Sequence, residues 1–482
     1  MIRIIKISVF LFLLQSLSVN AQFDYSSNIK NAKNALLNLD FESYNKIIKQ
    51  CDSSNLLVDW LNAYKAFIFY RASSQKTNID NAISTIKFSA EKIENHKAQT
   101  PYYYYSLSDI YFFLSFLYLE KGESFKAFQS YYYARQNTKI NLQKYPDFNL
   151  SHKHELAIFT INSIINRELT LFAKSENEIC NEYLNLFAKY SKHLQGVDSR
   201  ELKLLGVLLF DIQFSNNYNL LLQKTEINES FAKQGPLETY AVSVLYKKSE
   251  NYKKRTDILN YAVSNHFTER LNLLNLYYAN ALLNNNNSSA DIYYNKFLSK
   301  QKNSRLIQYA EFKYAMYWFI NNNKLKVDSL IYLIKNARTV KTFEDKQAVY
   351  EIKNYKNWNR ELILSRVFFD GGNYQSALKV LLLAKGNVHS YNKYQKLEYS
   401  YRLARIYDKT GKYKFALKFY DMVINSGLDS EFYYPAYAAY YAGKIELLQN
   451  NTDMAKAYFK KCRKMDSPVY KSDIHKKAEK MM

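Results

Sequence analysis

Apolar residues recur at helical spacing along most of the chain, and polar runs break them into short segments. Asn34–Gln50, Trp60–Tyr70, Asn81–Ile93 and Glu155–Ile165 each place apolar side chains three and four apart, the period of a helix with one buried face. Further on, Leu271–Leu283 and Asp291–Leu298 flank Asn284-Asn285-Asn286-Asn287, while Phe312–Ile320 and Leu325–Ile334 flank Asn321-Asn322-Asn323. Asparagine tolerates the left-handed backbone that ends a helix, so these runs predict tight turns between paired helices.

The pairing becomes periodic toward the C-terminus. Leu403-Ala404-Arg405-Ile406-Tyr407 is followed by Gly411-Lys412-Tyr413, then Ala416 and Tyr420: two amphipathic stretches joined by a glycine turn. The same spacing appears one unit earlier in Leu364, Ser365, Phe368, Gly372, Tyr374, Ala377 and Leu381, and one unit later in Ala442, Gly443, Asn450, Ala455 and Phe459. Ala377, Ala416 and Ala455 are each 39 residues apart, a constant period that predicts a stacked array of helical hairpins. A fourth match lies upstream in Leu114, Ser115, Tyr118, Gly122, Ala127, Tyr131 and Ala134, with Pro101 placed to open a helix. Small residues such as Ala404 and Ala416 are expected where two helices cross, with Tyr407 and Tyr420 filling the space beside the crossing.

This pattern resembles the tetratricopeptide repeat, with its small residue and Tyr on the first helix, Gly and Tyr at the turn, and Ala and an aromatic on the second. The resemblance implies an all-α fold, an α-solenoid of stacked helical hairpins whose first helices line a peptide-binding groove. Tyr434–Met482 and Arg366–Leu378 look similar to the last units of exported tetratricopeptide-repeat proteins of Bacteroidota, which implies fold and compartment and brings no catalytic residue. The expected segments are a leader at 1–21, N-terminal hairpins over 22–215 with a repeat-like unit near 108–141, degenerate repeats over 216–345, and a regular array over 346–482.

Composition narrows the choice to helices. Forty-six Tyr and 30 Phe supply ample core, whereas 10 Gly and 5 Pro cannot supply the turns of a long all-β chain or repeated glycine loops for nucleotides. Cys51, Cys180 and Cys462 are odd in number and far apart, so no disulfide framework is implied, although a Cys51–Cys180 bridge stays open. Cys462 stands where the repeat calls for a small buried residue.

Arg3 and Lys6 precede an apolar run, Ile7–Val19, and the small-residue site Val19-Asn20-Ala21, which reads as a secretory leader cleaved after Ala21. No Cys follows that run for lipid attachment, and the charged helical C-terminus lacks the β-rich character of a secretion-sorting domain. The periplasm is therefore expected, with release or peripheral attachment to the envelope as alternatives. The net charge of +23 falls to +21 without the leader, 65 basic against 44 acidic residues, yet the lysines are scattered through helical segments. Export and this scatter argue against nucleic acid as partner.

Candidate chemistry is sparse. His152-Lys153-His154-Glu155 looks like a ligand cluster, but residues two apart on a helix face apart, and no partner at metal spacing lies nearby. Asp370-Gly371-Gly372 lacks the continuation of a phosphate loop, and no nucleophile motif is present, so no catalytic residue, metal or cofactor is assigned. The repeat register offers more. If Ser365, Ala404 and Gly443 are equivalent, the next positions are Arg366, Arg405 and Lys444, and one turn earlier stand Leu362, Tyr401 and Tyr440. Such an apolar and aromatic row beside a cationic row would suit a peptide bearing carboxylates. The competing reading makes the cations a solvated face and the tyrosines contacts between repeats. The expected function is a non-enzymatic scaffold that binds a protein or peptide in the cell envelope; a carbohydrate- or polyanion-binding protein on the same frame is the alternative, and a hydrolase assembled from distant residues a third.

Overall fold

Leu39, Gly122, Glu250, Asn286, Asn322, Gly372, Gly411 and Asn450 all adopt a left-handed backbone, with φ between 52° and 82°. After each of them the next N–H donates to the carbonyl five residues back, from Asp40 to Ala35 through Asn451 to Glu446, at 2.7–3.0 Å. This bond closes the last turn of a helix and reverses the chain. Seven residues before each left-handed position stands Ala32, Ser115, Ser243, Ala279, Ala315, Ser365, Ala404 or Gly443, and every one is buried. A small side chain there lets the second helix lie close across the first. A Cβ on Gly443 would meet the Phe459 ring at 2.6 Å. The Ser365 hydroxyl donates to the Ala377 carbonyl at 3.1 Å, and that of Ser115 to Ala127 at 3.0 Å.

The structure, a computed structural model, describes residues 23–75, 77–96, 99–169, 174–214, 217–301, 305–340, 342–427, 432–465 and 471–482. The expected leader at 1–21 lies outside the described residues. These contain helices and no strand. In order they are α1 (Ser27–Leu37), α2 (Phe41–Ile48), α3 (Leu57–Ala72), α4 (Ile79–Asn95), α5 (Pro101–Lys121), α6 (Ser124–Lys144), α7 (His152–Leu169), α8 (Glu176–Ser191), α9 (Gly196–Gln213), α10 (Tyr218–Lys224), α11 (Glu229–Ala232), α12 (Pro236–Lys248), α13 (Tyr252–Ser264) and α14 (Phe267–Arg270). They continue with α15 (Leu273–Leu283), α16 (Ala290–Lys300), α17 (Ile307–Ile320), α18 (Lys324–Lys335), α19 (Phe343–Glu351), α20 (Arg360–Asp370), α21 (Tyr374–Ala384), α22 (Lys393–Lys409), α23 (Tyr413–Ser426), α24 (Tyr434–Leu448), α25 (Thr452–Lys464) and α26 (Lys471–Glu479). The eight left-handed turns join α1 to α2, α5 to α6, α12 to α13, α15 to α16, α17 to α18, α20 to α21, α22 to α23 and α24 to α25. The fold is all-α, built from tetratricopeptide-like hairpins.

The chain divides into two units, one ending at Leu274 and the other beginning at Asn275. The sequence suggested breaks at 215/216 and 345/346 instead. Neither is present, because contacts bridge both. Phe231, Val242 and Ile258 share one apolar core with Tyr183, Phe187 and Phe210, which ties α12 and α13 to α8 and α9. The Asp345 carboxylate of α19 accepts from the N–H groups of Leu306 and Tyr309 at 2.9 and 3.0 Å, capping the start of α17. In the second unit the hairpins stack through Ala404, Ala416, Tyr420, Ala442, Ala455 and Phe459. Cys51, Cys180 and Cys462 are free thiols, and burial pushes that of Cys462 up to about 12.

Candidate functional site

The six residues expected to line a groove do not form one open row. Leu362 and Tyr401 are core, 0% and 5% exposed, and Tyr401 packs against Tyr434 with ring centres 5.3 Å apart. Arg366 sends both guanidinium nitrogens to Glu351, at 3.2 Å each, and lies over the Phe312 ring. Burial works against its charge, but Glu351 outweighs this and raises the pKa above the ordinary arginine value. Arg405 donates to Asp408 at 2.9 Å and to Tyr420 at 3.4 Å. Both arginines thus carry a carboxylate of their own chain. Tyr440 is half-buried against Phe459, and Lys444, also half-buried, has no carboxylate partner among the described residues. No spacing rule in the sequence announces Glu351, fifteen residues before Arg366, as its partner.

In the N-terminal unit the helices bring together charges that sequence reading left apart. Lys33 of α1, with no exposed side-chain surface, bonds Asp198 at 2.7 Å and Glu201 at 2.6 Å on α9. Lys153 of α7 bonds Glu201 at 2.9 Å and Asp109 of α5 at 2.8 Å. Asp109 also accepts from Trp60 Nε1 at 3.0 Å and pairs with His154 Nε2 at 2.8 Å. Burial opposes each charge and is overcome: Glu201 chiefly holds the Lys33 ammonium protonated, and the Lys153 ammonium, helped by the hydrogen bond from His154, keeps the Asp109 carboxyl below the usual range. For His154 burial prevails over Asp109, so the imidazole is held neutral. The sequence reading of the His-Lys-His-Glu run is informative in part: the imidazoles do part, His152 stacking on Tyr190 and pairing with Glu155. It missed that Lys153 and His154 both turn inward.

Beside this network lies a cavity of about 340 Å³. Arg71, Asp109, Lys153, His154, Glu201 and Asp211 contribute charged and polar lining, and its walls are largely apolar side chains of α3, α5, α9 and α12 such as Phe67, Phe113, Phe116 and Leu205. The half-exposed Leu208 stands at its edge. Nδ1 of His154, a residue 2% exposed, has no hydrogen-bond partner among the described residues. With Nε2–H held on Asp109, the neutral ring presents at Nδ1 a lone pair that accepts.

No family model matches the chain, and a search of curated proteins finds no match. Among solved structures it is similar to yeast Tom70, at 14% identity and a TM-score of 0.24, over 88% of this chain and 95% of that one. Among the described residues no helix is long and apolar enough to cross a membrane.

Proposed function

We propose that the protein is a non-enzymatic scaffold of the cell envelope that binds a protein or peptide partner on the C-terminal hairpins. The observation that carries this reading is one face of α24. Tyr437, Tyr440, Tyr441 and Lys444 recur at helical spacing there, all half-buried, and the tilted contact of the Tyr437 and Tyr441 rings, 6.2 Å between centres, orders them in advance. Half-exposed, pre-ordered tyrosines supply contact area at little entropic cost, as interface anchors do. Arg366 and Arg405 are neutralised within the chain, so Lys444 is the cation left for an acidic group on the partner.

The test is affinity capture from envelope extract with the purified protein beside a Tyr437→Ala, Lys444→Glu variant whose circular dichroism matches the parent. A partner retained by the parent and lost from the variant supports the reading. Equal retention by both overturns the α24 site. Retention on heparin that falls steeply with salt, with no protein captured, transfers the function to polyanion binding. Cell fractionation tests the envelope assignment, which a cytoplasmic protein retaining residues 1–21 would overturn.

A further inference from the structure

We propose that the outer row of the second helices α21, α23 and α25 is a docking surface for an anionic phospholipid bilayer. It uses helices other than α24, so the failure of either proposal leaves the other standing.

The row follows from the repeat. Counted from the left-handed residues Gly372, Gly411 and Asn450, positions 5, 9 and 12 are buried in each second helix, as Ala377, Leu381 and Ala384 are in α21. Positions 4, 7 and 11 turn away from that core, and all nine side chains there are exposed. Three are Lys379, Lys418 and Lys461. Four are large and apolar, Leu383, Phe415, Met422 and Met454, each between 47% and 76% exposed. The other two are small, and none of the nine is acidic. Equal register brings the rows to one side of the array. There the Tyr458 hydroxyl of α25 donates to Asp421 of α23 at 2.8 Å, and Phe419 of α23 packs on the cluster that holds Leu381 of α21.

Two properties of the row select a lipid surface. The first is charge. Together α21, α23 and α25 carry eight basic residues and two acidic ones. Of the two acids, Asp421 is engaged by Tyr458, and Asp453 stands in the first turn of α25. Of the basic residues only Arg463 has a carboxylate partner among the described residues, Glu479. On the first helices, by contrast, Arg366, Arg402 and Arg405 are each tied to a carboxylate of this chain. Uncompensated ammonium groups therefore collect on the second helices, where they attract anionic headgroups.

The second property is the mixture. Leucine, phenylalanine and methionine between the lysines gain little from the sulfates of a glycan or the phosphates of a nucleic acid. At a bilayer they enter the boundary between headgroups and acyl chains, while the lysine stems lie beside them and hold their ammonium groups among the headgroups. A protein partner fits less well, because lysine is depleted in protein interfaces and arginine and aromatic rings are enriched there.

The experiment is co-sedimentation of the purified protein with vesicles of phosphatidylcholine alone and of equal parts phosphatidylcholine and phosphatidylglycerol. Binding to the mixed vesicles and not to the neutral ones is expected. Lys379→Gln with Lys418→Gln and Lys461→Gln should weaken it roughly hundredfold, since each lysine near such a surface is worth about fivefold. Leu383→Ser with Phe415→Ser and Met454→Ser should weaken it roughly tenfold or more and leave any retention on heparin unchanged. The α24 variant, Tyr437→Ala with Lys444→Glu, should bind vesicles as the parent does. All variants share residues 1–21 with the parent, so the apolar run Ile7–Val19 contributes equally to each. In Phe415→Trp, a conservative change, emission should shift to the blue on addition of mixed vesicles. Equal binding to neutral vesicles, undiminished binding by either triple variant, or no binding to either vesicle overturns the proposal, as does retention on heparin without vesicle binding.

Discussion

The guanidinium carbon of Arg405 lies 3.5 Å from the centre of the Tyr441 ring, joining α22 to α24 of the next hairpin. Together with its bond to Asp408, this makes Arg405 a structural tie between neighbouring repeats, and only 11% of its side chain is exposed. Arg405→Glu should lower stability by about 3 kcal/mol or more, because it removes a buried pair and sets two carboxylates side by side. Urea denaturation measures this, and an unchanged midpoint would contradict the assignment. For the same reason the substitution is a poor probe of binding.

The small residue at each helix crossing makes a graded prediction. Gly443→Ala drives a Cβ to 2.6 Å from Phe459 and should cost about 1–3 kcal/mol as that ring is displaced. Ser365→Ala keeps the volume and loses only the bond to Ala377, for about 1 kcal/mol. Thermal unfolding of the two variants should rank them in that order, and the reverse ranking would deny that close approach is what selects glycine at 443.

Glu311 of α17 gives a pH dependence of defined sign. Burial, with Asp345 close by, pushes its carboxyl up from 4.5 to about 7, and Oε2 has no partner among the described residues. The folded state therefore holds a proton that the unfolded chain releases, so stability declines as pH rises from about 4.5 to about 7 and is level above. Glu311→Gln should match the parent near pH 4.5 and exceed it by up to about 3 kcal/mol above pH 7. A stability difference independent of pH would exclude this.

Lys33→Met should destabilise the N-terminal unit by about 3–5 kcal/mol, since Asp198 and Glu201 would remain buried with one cation fewer. Adding Asp198→Asn should restore part of the loss. Hydrogen exchange in α1 and α9 locates the effect; protection unchanged in both helices would show the network to be energetically idle.

Much of the fold was legible in the sequence. Glycine and asparagine turns at Gly122, Gly372, Gly411, Asn286, Asn322 and Asn450 all take the left-handed backbone their residue types favour. The turns at Leu39 and Glu250 were not seen, because leucine and glutamate rarely adopt it. The sign that could have revealed them is the small residue seven positions earlier, Ala32 and Ser243, which holds at all eight of these left-handed turns. The candidate site was far less legible. Register placed Arg366, Arg405 and Lys444 correctly on first helices, yet could not reveal that Glu351 and Asp408 already neutralise two of them.

By itself the sequence determined the helices, most of their turns and the hairpin period, because these follow from local backbone preference and from apolar spacing within one or two helical turns. The tertiary structure alone decided which charges are buried together. Lys33 meets Asp198 across 165 residues, and Asp109 meets His154 across 45, on helices that touch only once the hairpins have stacked. Ion pairing inside a core depends on distance in space and on the exclusion of water, and neither is written in the spacing of residues along a chain.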